Sequence, residues 1–170
     1  MTSETLRLAG IIRESIVDGP GIRFVVFCQG CPHNCPGCHN PESHDFNAGT
    51  DVRIDRILTE IGKDPLLKGV TFSGGEPMCQ AAGLYELAAG VKEMGLTLTV
   101  FTGFTYEELV SKEDEDINSL LDMTDLLIDG RYVEKKRDLT LKFRGSSNQR
   151  LIDMNATRKK GEVVLNTDLM

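Results

Sequence analysis

Apolar and polar positions along the chain keep two rhythms. The run at 22–28 (IRFVVFC), β-branched and aromatic, reads as a buried strand. At 53–61 the apolar residues Ile54, Ile57, Leu58 and Ile61 fall at i, i+3, i+4 and i+7, the stripe of an amphipathic helix. Residues 69–73 (GVTFS) form a short strand that ends in Gly74-Gly75. A helix over 81–94 follows, with Leu84, Leu87, Ala88, Val91 and Met94 on one face. A third strand is expected at 96–102. Thr105 then opens a helix with Glu108 three residues on, the spacing of a capping box. Residues 117–121 read as helical and 125–129 (DLLID) as a fourth strand, with further strand candidates at 151–154 and 162–165.

Strands alternating with helices predict parallel βαβ units. A complete eight-unit barrel takes roughly 250 residues, and this chain has 170. The expected fold is therefore α/β, an open partial (β/α) barrel of parallel strands, shorter than a full TIM barrel. In such sheets chemistry collects at the carboxyl ends of the strands. Those ends carry 31–39, 73–77, Thr102-Gly103 and Asp129-Gly130.

Composition narrows the class. Hydrophobic residues make up 40% and charged residues 26%, the balance of a globular protein with one core, so a single domain over 1–170 is expected. The net charge of −7 argues against a nucleic-acid-binding role, since such domains are usually basic. Residues 1–10 hold no apolar run of signal-peptide length, and no segment is long and apolar enough for a membrane span, so a cytoplasmic location is expected.

The densest chemistry lies directly after the first strand, in Gly30-Cys31-Pro32-His33-Asn34-Cys35-Pro36-Gly37-Cys38-His39-Asn40. The spacing is C-x3-C-x2-C. Pro32 and Pro36 forbid a helix there, yet so short a loop can curl three sulfurs around one small object. A cubane iron–sulfur cluster ordinarily takes four thiolates. Three thiolates leave one iron open as a seat for a substrate. With Cys28 added, the run could be read as a four-thiolate zinc site. Zinc ribbons, however, separate their two C-x2-C pairs by roughly 15–20 residues, and here the gap is three. A disulfide framework fits poorly, because five cysteines is an odd number and no export signal accompanies them. The spacing favours the open-iron cluster, with a zinc module or a plain iron–sulfur carrier as rivals from other classes.

Gly74-Gly75-Glu76-Pro77 lies between a strand and a helix. Two adjacent glycines permit positive φ and close approach of a ligand. Alone the run would be an ordinary turn, with Glu76 capping the next helix; beside the cysteine loop, Glu76 could instead orient a charged amine. Asp18-Gly19-Pro20-Gly21 reads as a rigid turn near that loop.

C-x3-C-x2-C after the first strand, with GGEP after the next, resembles the radical S-adenosylmethionine superfamily. The resemblance implies a [4Fe-4S] cluster held by Cys31, Cys35 and Cys38, with S-adenosyl-L-methionine chelating the open iron. It further implies cofactor contacts from Gly37, Cys38, His39, Gly74, Gly75, Glu76 and Asp129, and no side chain acting as acid or base beyond cluster and cofactor. Asp18 to Arg23 and the Cys38-His39-Asn40 ending are similar to activators of glycyl-radical enzymes. Phe101-Thr102-Gly103, Leu127-Ile128-Asp129-Gly130 and above all Arg144-Gly145-Ser146-Ser147-Asn148-Gln149 resemble the activators of anaerobic ribonucleoside-triphosphate reductase; the activators of pyruvate formate-lyase, which share the first half with its Cys-His-Asn ending, are the alternative. The likeness covers about 10–155 and implies two partners: the reductase's large catalytic subunit and a flavodoxin- or ferredoxin-like electron donor. Gly37 stands where many superfamily members carry an aromatic residue, and Gly130-Arg131 departs from a lysine-bearing version. Cys28 reads as a buried structural thiol, Cys79 as packing, and His33 as either a hydrogen-bond partner of a cluster sulfur or an exposed side chain.

Overall fold

A computed structural model describes residues 4–33, 35 and 44–169. In chain order its elements are β1 (Thr5–Ser15), β2 (Arg23–Cys28), β3 (Thr50–Arg53), α1 (Ile54–Gly62), β4 (Gly69–Gly74), α2 (Ala81–Glu93) and β5 (Thr97–Phe101). They continue as α3 (Tyr106–Ser111), α4 (Glu115–Met123), β6 (Leu126–Asp129), β7 (Arg150–Asp153) and α5 (Met154–Lys160). Thr105 caps α3 as its spacing predicts: its hydroxyl accepts from the Glu108 amide, and Glu108 accepts in return from the Thr105 amide, both at 3.1 Å.

The strands form one mixed sheet in the order β3-β1-β2-β4-β5-β6-β7. The four central strands, β2, β4, β5 and β6, run parallel as the alternating pattern predicts. The expectation of parallel strands throughout is corrected at the flanks. β1 runs antiparallel to both β2 and β3, and β7 runs antiparallel to β6. The connections from β1 to β2 and from β6 to β7 explain two of these: each returns without a crossover helix, whereas a parallel neighbour needs a crossover. Residues 162–165 form no strand; Leu165 makes only an isolated bridge to Ile152. β1 escaped the pattern because bulges near Leu8/Gly10 and Ile12/Ser15 break its alternation and residues 9–14 are largely exposed.

Side-chain parity separates the two faces of the sheet. Phe24, Val26, Val70, Phe72, Leu98, Val100 and Leu127 point to the helices and build the main core with Ile57, Ile61, Leu84, Leu87, Leu109 and Leu120. The alternate positions face the other way. There Leu126, Ile128 and Leu151 pack with Phe101, Phe143 and Leu169.

Arg23 closes the far end of the parallel strands. It is wholly buried, and its five N–H groups are all placed. Nε donates to Thr71 Oγ1 at 2.8 Å, Nη1 to Pro20 O at 2.9 Å and Thr97 Oγ1 at 3.0 Å, and Nη2 to Val70 O at 2.9 Å and Thr97 O at 3.0 Å. Burial lowers its pKa to about 10, against the opposing pull of Asp125. The Asp18 to Gly21 turn is thereby tied down, since Thr71 also donates to Asp18 O at 2.8 Å.

Candidate active site

A cavity of about 880 Å³ lies on the face of the sheet away from the helices. Strand ends supply much of its wall. Phe27, Ser73 and Phe101 sit on the outward parity of β2, β4 and β5, with Gly74, Gly75, Thr102, Gly103 and Gly130 at or beyond the strands' carboxyl ends. Cys31 and Cys35 line the same space, both half-buried. Gly37, Cys38 and His39 lie outside the described residues. Among the described residues no three His, Cys, Asp or Glu side chains stand together as a metal cage. Two half-buried thiols facing a glycine-lined cavity are nonetheless a donor set suited to iron and sulfide rather than to a hard cation.

The glycine pair anchors the cysteine loop by its backbone. Gly75 N donates to Cys28 O and Glu76 N to Gly30 O, each at 2.7 Å. Gly74 adopts φ +94, and a Cβ there would stand 2.5 Å from Cys28 N and 2.6 Å from Cys28 O. Only glycine fits. Gly74, Gly75 and Glu76 are thus brought to the root of the loop that carries Cys31 and Cys35.

The Glu76 side chain is fully buried and does cap the turn that follows it. Its Oε2 accepts from Met78 N at 3.0 Å and from Thr102 Oγ1 at 2.8 Å; its Oε1 accepts from Gly103 N at 2.7 Å and stands 2.6 Å from His33 Nε2. His33 is therefore not exposed, and its Nε2 faces a carboxylate. Sequence reasoning saw its position between two cysteines but had no signal for its partner, which lies 43 residues away.

Asp129 falls on the helix-covered parity of β6 and outside the cavity wall. It accepts from Arg150 Nε at 3.0 Å, Arg150 Nη2 at 2.5 Å and Tyr106 N at 2.8 Å. Its neighbour Gly130 does reach the cavity. The 144–149 run closes onto the same turn. Gln149 Oε1 accepts from Gly145 N at 2.9 Å and Ser146 N at 3.1 Å, while Gln149 Nε2 donates to Gly130 O at 3.0 Å. Asn148 Nδ2 donates to Arg131 O at 2.8 Å. Arg144, Gly145 and Gln149 thereby become part of the cavity wall.

The remaining thiols differ. Burial pushes Cys28 far above the ordinary thiol range, with Glu76 and Cys79 adding to the shift, so it is held as a neutral thiol. Cys79 is exposed rather than packed. Partial burial, then the charges of Glu76 and Cys31, raise its pKa to about 11. Among the described residues no helix is long and apolar enough to cross a membrane.

A family model described as a 4Fe-4S single cluster domain matches residues 17–152. The anaerobic ribonucleoside-triphosphate reductase-activating protein of Vibrio cholerae serotype O1 is 34% identical over 143 residues, covering 79% of this chain and 89% of that relative. The protein of the same name from Escherichia coli K12 is 32% identical over 142 residues, covering 79% and 90%. The pyruvate formate-lyase-activating enzyme of Listeria monocytogenes serovar 1/2a is 35% identical over 163 residues, covering 90% of this chain and 63% of that enzyme.

Proposed function

Because the chain belongs to the family of 4Fe-4S single cluster domains and to that of the anaerobic ribonucleoside-triphosphate reductase-activating proteins, we propose that it activates such a reductase by generating a glycyl radical on its large catalytic subunit. The observation that carries the reading is the meeting of Cys31 and Cys35 with Gly74, Gly75 and Gly103 around one cavity. In this reading Cys31, Cys35 and Cys38 hold a [4Fe-4S] cluster. When bound, the reduced cluster supplies the electron that cleaves S-adenosyl-L-methionine and yields the 5′-deoxyadenosyl radical.

The protein's own residues then bind and orient. Gly74 and Gly75 offer a wall without side chains against which the cofactor's amino-acid end can lie, in company with Gly37, Cys38 and His39. Glu76 stands behind that wall and contributes through the groups it holds. Asp129 acts at one remove, by fixing the turn from which Gly130 reaches the cavity. Phe27, Phe101 and Phe143 give the cavity an apolar wall that would limit the access of water to a reactive radical. Residues 1–170 work as a single radical SAM domain with its core at about 10–155, the sheet curving as an open partial barrel so that a glycine loop can enter. The low-potential electron comes from a flavodoxin- or ferredoxin-like donor in the cytoplasm.

The test is anaerobic. Reconstituted, reduced protein and S-adenosyl-L-methionine are mixed separately with the reductase and with pyruvate formate-lyase, and electron paramagnetic resonance spectra are recorded. A glycyl doublet on the reductase alone is expected. A doublet on the lyase alone would transfer the assignment to that enzyme, and a colourless, zinc-holding protein would overturn it altogether.

A further inference from the structure

We propose that His33 is a positioning residue that fastens the loop bearing Cys31 and Cys35 to the buried carboxylate of Glu76, and so sets the place of two cluster thiols. The inference rests on the reading of those cysteines as cluster ligands.

A carboxylate offers about four acceptor sites, and Glu76 has four donors around it. Three come from the turns after β4 and β5: Met78 N, Gly103 N and the Thr102 hydroxyl. The fourth, His33 Nε2 at 2.6 Å, is contributed by the cysteine loop. Its side chain is only 4% exposed and that of Glu76 is 0% exposed. Withdrawing His33 would leave one site of a fully buried carboxylate unmatched, which is costly in a dry environment.

The ring is set for that task on its other edge. Arg131 Nε donates to His33 Nδ1 at 3.2 Å. A guanidinium has only donors, so Nδ1 must accept and the ring proton is placed on Nε2, facing Glu76. The Phe104 ring meets the imidazole edge-on at a centroid distance of 4.6 Å and an interplanar angle of 75°. Gly103 closes the remaining side: a Cβ there would stand 2.4 Å from His33 Cδ2 and 2.6 Å from Nε2. Gly103 is thus small to make room for this ring. Turns after β4, β5 and β6 all grip one imidazole, and Cys31 and Cys35 flank it two residues away on either side. Partners behind a metal ligand commonly decide how firmly the metal is held.

Three variants separate positioning from mere packing: His33→Ala removes the ring, Gly103→Ala expels it while keeping the histidine, and His33→Gln restores one donor and one acceptor. Each full-length protein is reconstituted anaerobically with iron and sulfide. The readout is the rate at which a chelator strips the iron, with thermal melting as the check on folding. His33→Ala and Gly103→Ala are expected to assemble the cluster but release iron about 10–100-fold faster, and His33→Gln to recover most of the loss. Wild-type release rates in both alanine variants, or a His33→Gln protein as leaky as His33→Ala, would overturn the proposal. Cys31→Ala serves as the control on its premise. If that variant kept its cluster, the ligand reading beneath would fall, an outcome distinct from failure of the His33 contact.

Discussion

Arg150 grips Asp129 with two nitrogens across the β6–β7 pair, Nε on Oδ1 at 3.0 Å and Nη2 on Oδ2 at 2.5 Å. Asp129 is fully buried, and Arg150 extends to Glu107 beyond it. The hydrogen bond to Asp129 leads the causes that raise the Arg150 pKa. Replacing Arg150 with Met leaves a buried carboxylate facing only the Tyr106 amide. The expected loss is about 3–5 kcal/mol, the range for breaking a buried ion pair, measured by denaturant unfolding. Arg150→Lys should recover only part of it, because an ammonium cannot reproduce the fork. Unchanged stability in Arg150→Met would mean that the pair contributes nothing to holding the Gly130 turn.

Gly74→Ala should destabilise the protein by roughly 3 kcal/mol or more, from a strained positive φ and a clash with the Cys28 backbone. Thermal melting checks this. Gly95 has a similar φ of +77 but open space around its missing Cβ. Gly95→Ala should therefore cost only the backbone strain, about 1–2 kcal/mol. Equal losses at the two sites would show that the clash at Gly74 is relieved by local movement.

Removing Cys28 should leave iron and sulfide content intact after anaerobic reconstitution, whereas Cys31→Ala, Cys35→Ala or Cys38→Ala should each abolish cluster assembly. The Cys28 thiol is fully buried and pushed up in pKa, both against thiolate ligation. Cys28→Ala should cost stability alone, on the order of 1 kcal/mol for a small truncation in the core. An iron-free Cys28→Ala protein would overturn the ligand assignment.

Asp125 provides an acid-sensitive contact. Burial pushes its pKa up, but hydrogen bonds from Lys92, the Leu98 amide and Asn155 outweigh that and hold it below its ordinary 3.8. A carboxylate with a lowered folded pKa stabilises the protein above its unfolded value, and this contribution is lost as pH falls through the lower folded value. Lys92 Nζ is 2.5 Å from Asp125 Oδ2. Lys92→Met should therefore move the acid unfolding midpoint to higher pH, followed by circular dichroism between about pH 5 and 2. No change in the midpoint would assign the lowering to the Leu98 and Asn155 bonds alone.

Sequence periodicity by itself determined the parallel centre of the fold. The β-branched and apolar stretches at β2, β4, β5 and β6 and the stripes of α1 and α2 are local patterns, and each element forms within a residue or two of where its pattern predicts. The capping box at Thr105 was likewise written locally. The cysteine spacing named a chemistry without any geometry. Cys38, Gly37 and His39 fall outside the described residues, so their placing adds nothing to that reading.

Other features depended on contacts distant in sequence. Glu76 acquires its partners from residues 33, 102 and 103, and Asp129 is turned from the cavity by the parity of a four-residue strand and by Arg150 beyond it. The directions of β1 and β7 follow from loops whose residues carry no periodic signal. A local pattern records how a segment satisfies itself. The partner of a buried charge is recorded nowhere in the chain until the sheet brings the two together, because desolvation fixes the pairing only once water has been excluded.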